Sequence, residues 1–191
     1  MPTAYDPLDY ENLARSVVNA LTGSEICGLP PAENFEGAGV YAIYYAGPFP
    51  DYRHISSADC EIPIYVGKAI PKGGRKGAQE SAGEGVSLLR RLNDHAKSIS
   101  AARNLELTDF RCRYLVVLPV WVSLAEQFLI NHFRPVWNIY VAGFGNHHVG
   151  RARFEGKCPQ WDIVHPGRSW AENLDHQGET AEEILGRLPG R

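Results

Sequence analysis

Residues 39–46 and 62–67 are two short runs of β-forming residues separated by one loop, 47–61, that holds two prolines and many polar residues. Alternate side chains of a strand point to opposite faces, which puts Tyr41, Ile43 and Tyr45 on one face of the first run and Val40, Ala42 and Tyr44 on the other. In the second run Tyr65 and Gly67 share a face. Paired antiparallel across a long hairpin, the two runs can bring the phenols of Tyr41 and Tyr65 together on one side of a sheet.

The rest of the chain supplies layers for that sheet. Leu13, Val17, Val18 and Leu21 recur at helical spacing and predict a helix over residues 9–22. Residues 23–38 are rich in Gly, Pro and Glu and read as a loop. After a Gly/Lys-rich segment, 69–86, Ser87 reads as the N-cap of a helix to about residue 101, with Leu88, Leu92, Ala96 and Ile99 as its apolar stripe. A third strand over 110–118 ends at Pro119, and a helix over 121–133 is stopped by Pro135. The order β–β–α–β–α predicts an α+β fold, a small mixed or antiparallel three-stranded sheet flanked by helices. The expected organisation is one domain: a helical arm (1–38), a core (39–138) and an extension (139–191). Residues 160–170 read as an aromatic loop, and 179–188 as a short helix.

Composition excludes several classes. Hydrophobic residues at 44% and charged residues at 21% are ordinary for a globular domain. No apolar run approaches a membrane span, and the N-terminus lacks the pattern of a signal peptide, so a cytoplasmic protein is expected. Cys27, Cys60, Cys112 and Cys158 are scattered without a CxxC pair, which argues for reduced thiols rather than zinc or disulfides. The net charge of −3 does not mark a nucleic-acid binder, but its distribution is uneven. Residues 68–97 carry seven lysines and arginines against three acids, whereas residues 1–36 carry six acids against Arg15 alone. A basic middle of this kind suits one face presented to phosphates. The segment 69–86, too long for a plain connection, is the expected contact through Lys72, Arg75 and Lys76, with Arg90 beside it.

Six residue types in order carry the chemistry. A phenol acts as a base only where cations stabilise its anion or its proton is relayed, and Lys68, next to the second run, is a candidate cation. Arg91 and His95 lie at i and i+4 and share a helix face, where a guanidinium could bracket phosphate oxygens. On a helical wheel Glu126 falls inside the apolar arc formed by Trp121, Val122, Ala125, Phe128, Leu129 and Phe133, and needs a compensating charge, either a divalent metal or Arg91. Asn138 follows that helix as a turn residue. His147, His148 and His165 lack ligand spacing and read as loop or DNA-contact residues.

Tyr41, Tyr65, Arg91, His95, Glu126 and Asn138, in this order and spacing, resemble the GIY-YIG nuclease family, with the two signature triplets written Gly39-Val40-Tyr41 and Tyr65-Val66-Gly67. Within the family, the chain most resembles the small type II restriction endonucleases that cut CCGCGG. The resemblance implies a Mg2+- (or Mn2+-) dependent hydrolase of double-stranded DNA, acting at a palindromic site and leaving 5′-phosphate and 3′-hydroxyl ends. It implies Glu126 as metal ligand, Tyr41 as base with Lys68 and Tyr65 tuning it, Arg91 and His95 on the phosphorane, and Asn138 orienting the metal-site groups or the DNA backbone. A homodimer and a cognate methyltransferase are the expected partners. A repair or mobile-element nuclease of the same family is the alternative enzyme, and a DNA-binding module without activity the alternative to an enzyme.

Overall fold

A computed structural model describes residues 9–71, 85–146, 156–176 and 178–189. The chain runs α1 (Tyr10–Thr22), β1 (Cys27–Gly28), β2 (Gly39–Tyr45), β3 (Pro63–Ala69), α2 (Ser87–Ala101), β4 (Phe110–Val116), α3 (Pro119–Phe133), α4 (Val136–Ile139), α5 (Gln160–Val164) and α6 (Ala181–Leu185). The sheet is antiparallel, in the order β1-β4-β2-β3. It has four strands where three were expected: inside the predicted loop 23–38, the two-residue β1 pairs with Cys112 and Arg111 of β4.

Strand alternation divides the core in two. Val40, Ala42, Tyr44 and Val66 pack with Val18 and Leu21 of α1 and Val122, Ala125 and Leu129 of α3. Tyr41, Ile43, Tyr45 and Tyr65 pack on the other face with Leu88, Leu92 and Ile99 of α2, Trp137 of α4 and Phe144. Trp161, Val164, Ile184 and Leu185 join this second cluster, so the segment read as a C-terminal extension builds part of the core around the paired tyrosines. No helix among the described residues is long and apolar enough to cross a membrane. All four cysteines are free thiols.

Several local expectations are corrected. Ser87 is the first helical residue rather than the cap, and its hydroxyl donates to the carbonyl of Gly37 (3.1 Å). Pro119 opens α3 at its first position, where a missing N–H costs nothing. Trp121, placed in the apolar arc of that helix, is half exposed. Residues 160–164 are helical, and α6 starts at a capping box in which Thr180 and Glu183 satisfy each other's backbone N–H.

His165 is fully buried rather than a loop or DNA-contact residue. Trp137 Nε1 donates to the Tyr52 hydroxyl (3.0 Å), and that hydroxyl lies 2.6 Å from His165 Nε2. His165 Nδ1 lies 3.0 Å from Asn104 Oδ1, and Asn104 Nδ2 donates to the carbonyl of Val164 (3.0 Å). This chain closes with a neutral imidazole, Nδ1 protonated and Nε2 accepting. Burial pushes the imidazole from 6.5 down to about 3. The unfolded chain takes up the proton below pH 6.5 and the folded protein does so only near pH 3. Stability is therefore expected to fall on acidification through that window, by up to about 1.4 kcal/mol per pH unit. Urea unfolding between pH 7 and 5 checks this: the slope should flatten in His165→Gln, and an unchanged slope would assign the acid sensitivity elsewhere.

Candidate active site

The site starts from the register of β2 and β3. Tyr41 lies opposite Gly67 and Ile43 opposite Tyr65, so the two tyrosines are diagonal neighbours on one face. Their rings are 6.2 Å apart. Tyr41 reaches this position by lying over Gly67: a β-carbon there would come within 2.3 Å of the Tyr41 hydroxyl and 2.9 Å of the Tyr65 ring. The glycine of the second triplet is thus a steric requirement of the paired phenols. Gly67→Ala is expected to destabilise the fold by about 1–3 kcal/mol, as overpacking does, because the Tyr41 ring is enclosed and has nowhere to retreat. A melting temperature equal to that of the wild type would contradict this packing.

α2 brings two more groups to the same face. Its apolar stripe docks Leu88, Leu92 and Ile99 on the sheet, and this turns His95 inward. His95 is fully buried, with Nε2 2.6 Å from the Tyr41 hydroxyl and its ring stacked on Phe144 (4.5 Å). One turn earlier, Arg91 Nη2 donates to the carbonyl of Gly145 (2.8 Å). A β-carbon on Gly145 would lie 2.6 Å from the Tyr65 hydroxyl and 3.5 Å from Arg91 Nη2, so this turn passes directly over both groups. Phe144 also meets Tyr65 edge to face (4.9 Å). The turn 143–146 therefore shapes the site, although no local motif marks it in the sequence.

Burial pushes the Tyr41 phenol well above its usual value of 10.0, and the neighbouring Tyr65 adds to the shift; the Arg91 charge opposes it. Tyr65 is raised by burial too, again against Arg91. Arg91, and not Lys68, is the cation that favours both phenolates. Lys68 is the cross-strand neighbour of Val40 and so lies on the opposite face of the sheet. There Lys68 Nζ is 2.8 Å from Glu126 Oε2 and donates to Ser123 Oγ (3.3 Å). Glu126 thus has a compensating charge that is neither of the two expected from the sequence. Both side chains of this pair keep solvent contact, 35% for Lys68 and 21% for Glu126. The Glu126 charge is nonetheless felt at both phenols, raising each. No group of three or more His, Cys, Asp or Glu that could hold a metal ion occurs among the described residues, and the Glu126 carboxylate stays partly open to solvent.

Asn138 is tied to the outer edge of β3. Val66 N donates to Asn138 Oδ1 and Asn138 Nδ2 donates to Val66 O, both at 2.8 Å. The carboxamide acts as a neighbouring strand along the free edge of β3, which blocks edge pairing and fixes the strand between Tyr65 and Gly67. Arg90 is exposed on α2 and lines a groove with Phe35, Glu36, Asn93 and Lys97. Lys72, Arg75, Lys76, His147 and His148 lie outside the described residues.

A four-stranded antiparallel sheet with helices on both faces, carrying two tyrosines, a histidine and an arginine together on one face of the β2–β3 pair, is the arrangement of a GIY-YIG nuclease domain. The family model of the Eco29kI GIY-YIG domain matches residues 33–189, and the chain belongs to that family. It is accordingly a nuclease domain with DNA phosphodiesters as its substrate. No curated protein compared with the chain matches it.

Proposed function

We propose that this protein is a site-specific double-strand DNA endonuclease of the type II restriction kind, dependent on Mg2+ (or Mn2+). The observation that carries the proposal is the Tyr41–His95 hydrogen bond of 2.6 Å, set beside Tyr65 with Arg91 as the charge acting on both phenols. Tyr41 is fully enclosed and Tyr65 is 8% exposed, so Tyr65 stands on the solvent side of the pair and His95 behind it. The two phenols and His95 work as one proton-accepting unit. As water attacks phosphorus, its proton passes to the Tyr65 oxygen, the Tyr65 proton to the Tyr41 oxygen, and the Tyr41 proton to His95 Nε2. The Arg91 guanidinium faces the charge that develops on the non-bridging oxygens, where its paired donors suit phosphate. The P–O3′ bond breaks as the water oxygen bonds to phosphorus, and the departing 3′ oxygen takes a proton from solvent, which leaves 5′-phosphate and 3′-hydroxyl ends.

Glu126 fits a magnesium ion. It offers one accessible hard oxygen ligand, and magnesium in nucleases is commonly held by one or two carboxylates with water and substrate phosphate completing its shell. When bound, the ion would supply Lewis-acid stabilisation of the reacting phosphate. Lys68, which neutralises Glu126, would then be freed to meet a phosphate oxygen. One such site cuts one strand, so a double-strand cut in a palindrome calls for two copies related by a two-fold axis.

Plasmid DNA of known sequence, incubated with purified protein and Mg2+, tests the proposal. Discrete fragments whose mapped ends share one palindrome and carry 5′-phosphates are expected. Random nicks would point to a repair or mobile-element nuclease, and intact plasmid with retained DNA binding would point to a module without activity.

A further inference from the structure

The turn that covers the site is strung between two arginines. Arg91 takes the carbonyl of Gly145. Arg168, from the loop after α5, takes the carbonyls of Gly143 (3.2 Å), Phe144 (3.2 Å) and Asn146 (2.8 Å). Arg168 also donates from Nε to Asp162 Oδ1 (2.6 Å) and from Nη2 to Asp162 Oδ2. Each of its five N–H donors is thereby engaged. Its guanidinium lies over the ring of Trp161 (4.5 Å) and that of Trp170 (4.7 Å). Arg168 and Asp162 are each only 4% exposed. Burying such a pair is costly, and apolar packing of the same volume often stabilises as well or better. What apolar packing cannot do is collect three converging carbonyls, and so leave the fourth, that of Gly145, turned toward Arg91.

We propose that Arg168 is a positioning residue for the nuclease site. With Asp162 and the two indoles it fixes the turn Gly143–Asn146, and the turn sets three groups at once. The Gly145 carbonyl holds Arg91, Phe144 is stacked against His95, and the Gly145 backbone lies against the Tyr65 hydroxyl. Arg168 makes its contribution through this turn, and the largest part of it through Arg91. The inference rests on the proposed role of Arg91 at the phosphate.

The test uses Arg168→Lys in the full chain. It keeps the charge opposite Asp162 but cannot serve three carbonyls and a bidentate carboxylate together. Arginine side-chain 15N NMR on the DNA-free protein reads the first link. The Arg91 guanidinium signals, held by restricted rotation in the wild type, should show free rotation in the variant while backbone signals of the sheet stay in place. Single-turnover cleavage reads the second link: the rate at saturating DNA should fall roughly 10- to 100-fold, the scale of a misplacement near 1 Å, with DNA affinity unchanged within about twofold. An Arg91 signal that stays ordered would overturn the proposal. So would a loss confined to DNA affinity, or one that merely tracks the folded fraction. If Arg168→Lys does not fold, Trp170→Leu, which removes one of the two rings, is read in the same way. If the wild type does not cut DNA, the nuclease reading fails, and the NMR result still decides whether Arg168 holds Arg91.

Discussion

Glu126→Gln is expected to fold normally, to bind duplex DNA in magnesium as well as the wild type or better, and not to cut it. The stability part follows from the pair that the structure shows. Glu126 is matched by Lys68 at 2.8 Å, and both side chains keep solvent contact. A partly exposed ion pair contributes about 0–1 kcal/mol, so the melting temperature should barely move. Had Arg91 been the buried partner, the same change would have stranded a cation at a cost of about 3–5 kcal/mol. The activity part follows from the ligand chemistry: an amide is a poor replacement for the hard anionic oxygen that would hold magnesium. Several kcal/mol of transition-state stabilisation go with the metal, which amounts to about 10³-fold or more in rate. Relief of repulsion between Glu126 and the phosphates leaves binding intact. Melting, DNA affinity and plasmid cleavage on this one variant check the account; cleavage near the wild-type rate would remove Glu126 from the chemistry.

The second large effect is that of Tyr41→Phe. The ring is retained, so the packing over Gly67 stays, and only the hydroxyl that meets His95 Nε2 is lost. The proton-accepting unit is then cut between Tyr65 and His95, and the rate should fall by about 10²–10⁴-fold, the usual worth of a general base. DNA affinity should be unchanged, since an enclosed Tyr41 offers the duplex nothing to touch. Wild-type-like cleavage by pure Tyr41→Phe would leave Tyr65, or hydroxide on the metal, as the acceptor.

Much of this site was legible in the chain because it depends on short periods. Strand alternation put Tyr41 and Tyr65 on one face, and helical spacing put Arg91 and His95 on the side of the Leu88 and Leu92 stripe; the structure places them there. The same alternation holds information about Lys68. Three positions beyond Tyr65 is an odd step, so Lys68 must leave the phenol face, and its partner had to come from α3. What short periods cannot show is who meets whom across the chain. Asn138 reaches Val66 across 72 positions, Arg91 reaches Gly145 across 54, and Tyr52 reaches His165 across 113. The aromatic stretch 160–170 read as a loop because its periodicity is broken after five helical residues by His165-Pro166-Gly167. Its burial comes from Trp137 and Phe144, which lie far away in sequence. β1, with only two residues, owes its strand geometry to β4 and not to any propensity of its own.

The most direct measurement is a crystal structure of Glu126→Gln on a duplex that carries the mapped cleavage site. The scissile phosphate is expected against the Arg91 guanidinium, with the Tyr65 hydroxyl facing it, Tyr41 still on His95, and a second copy of the chain on the opposite strand. A scissile phosphate bound away from Arg91 and both tyrosines would contradict it.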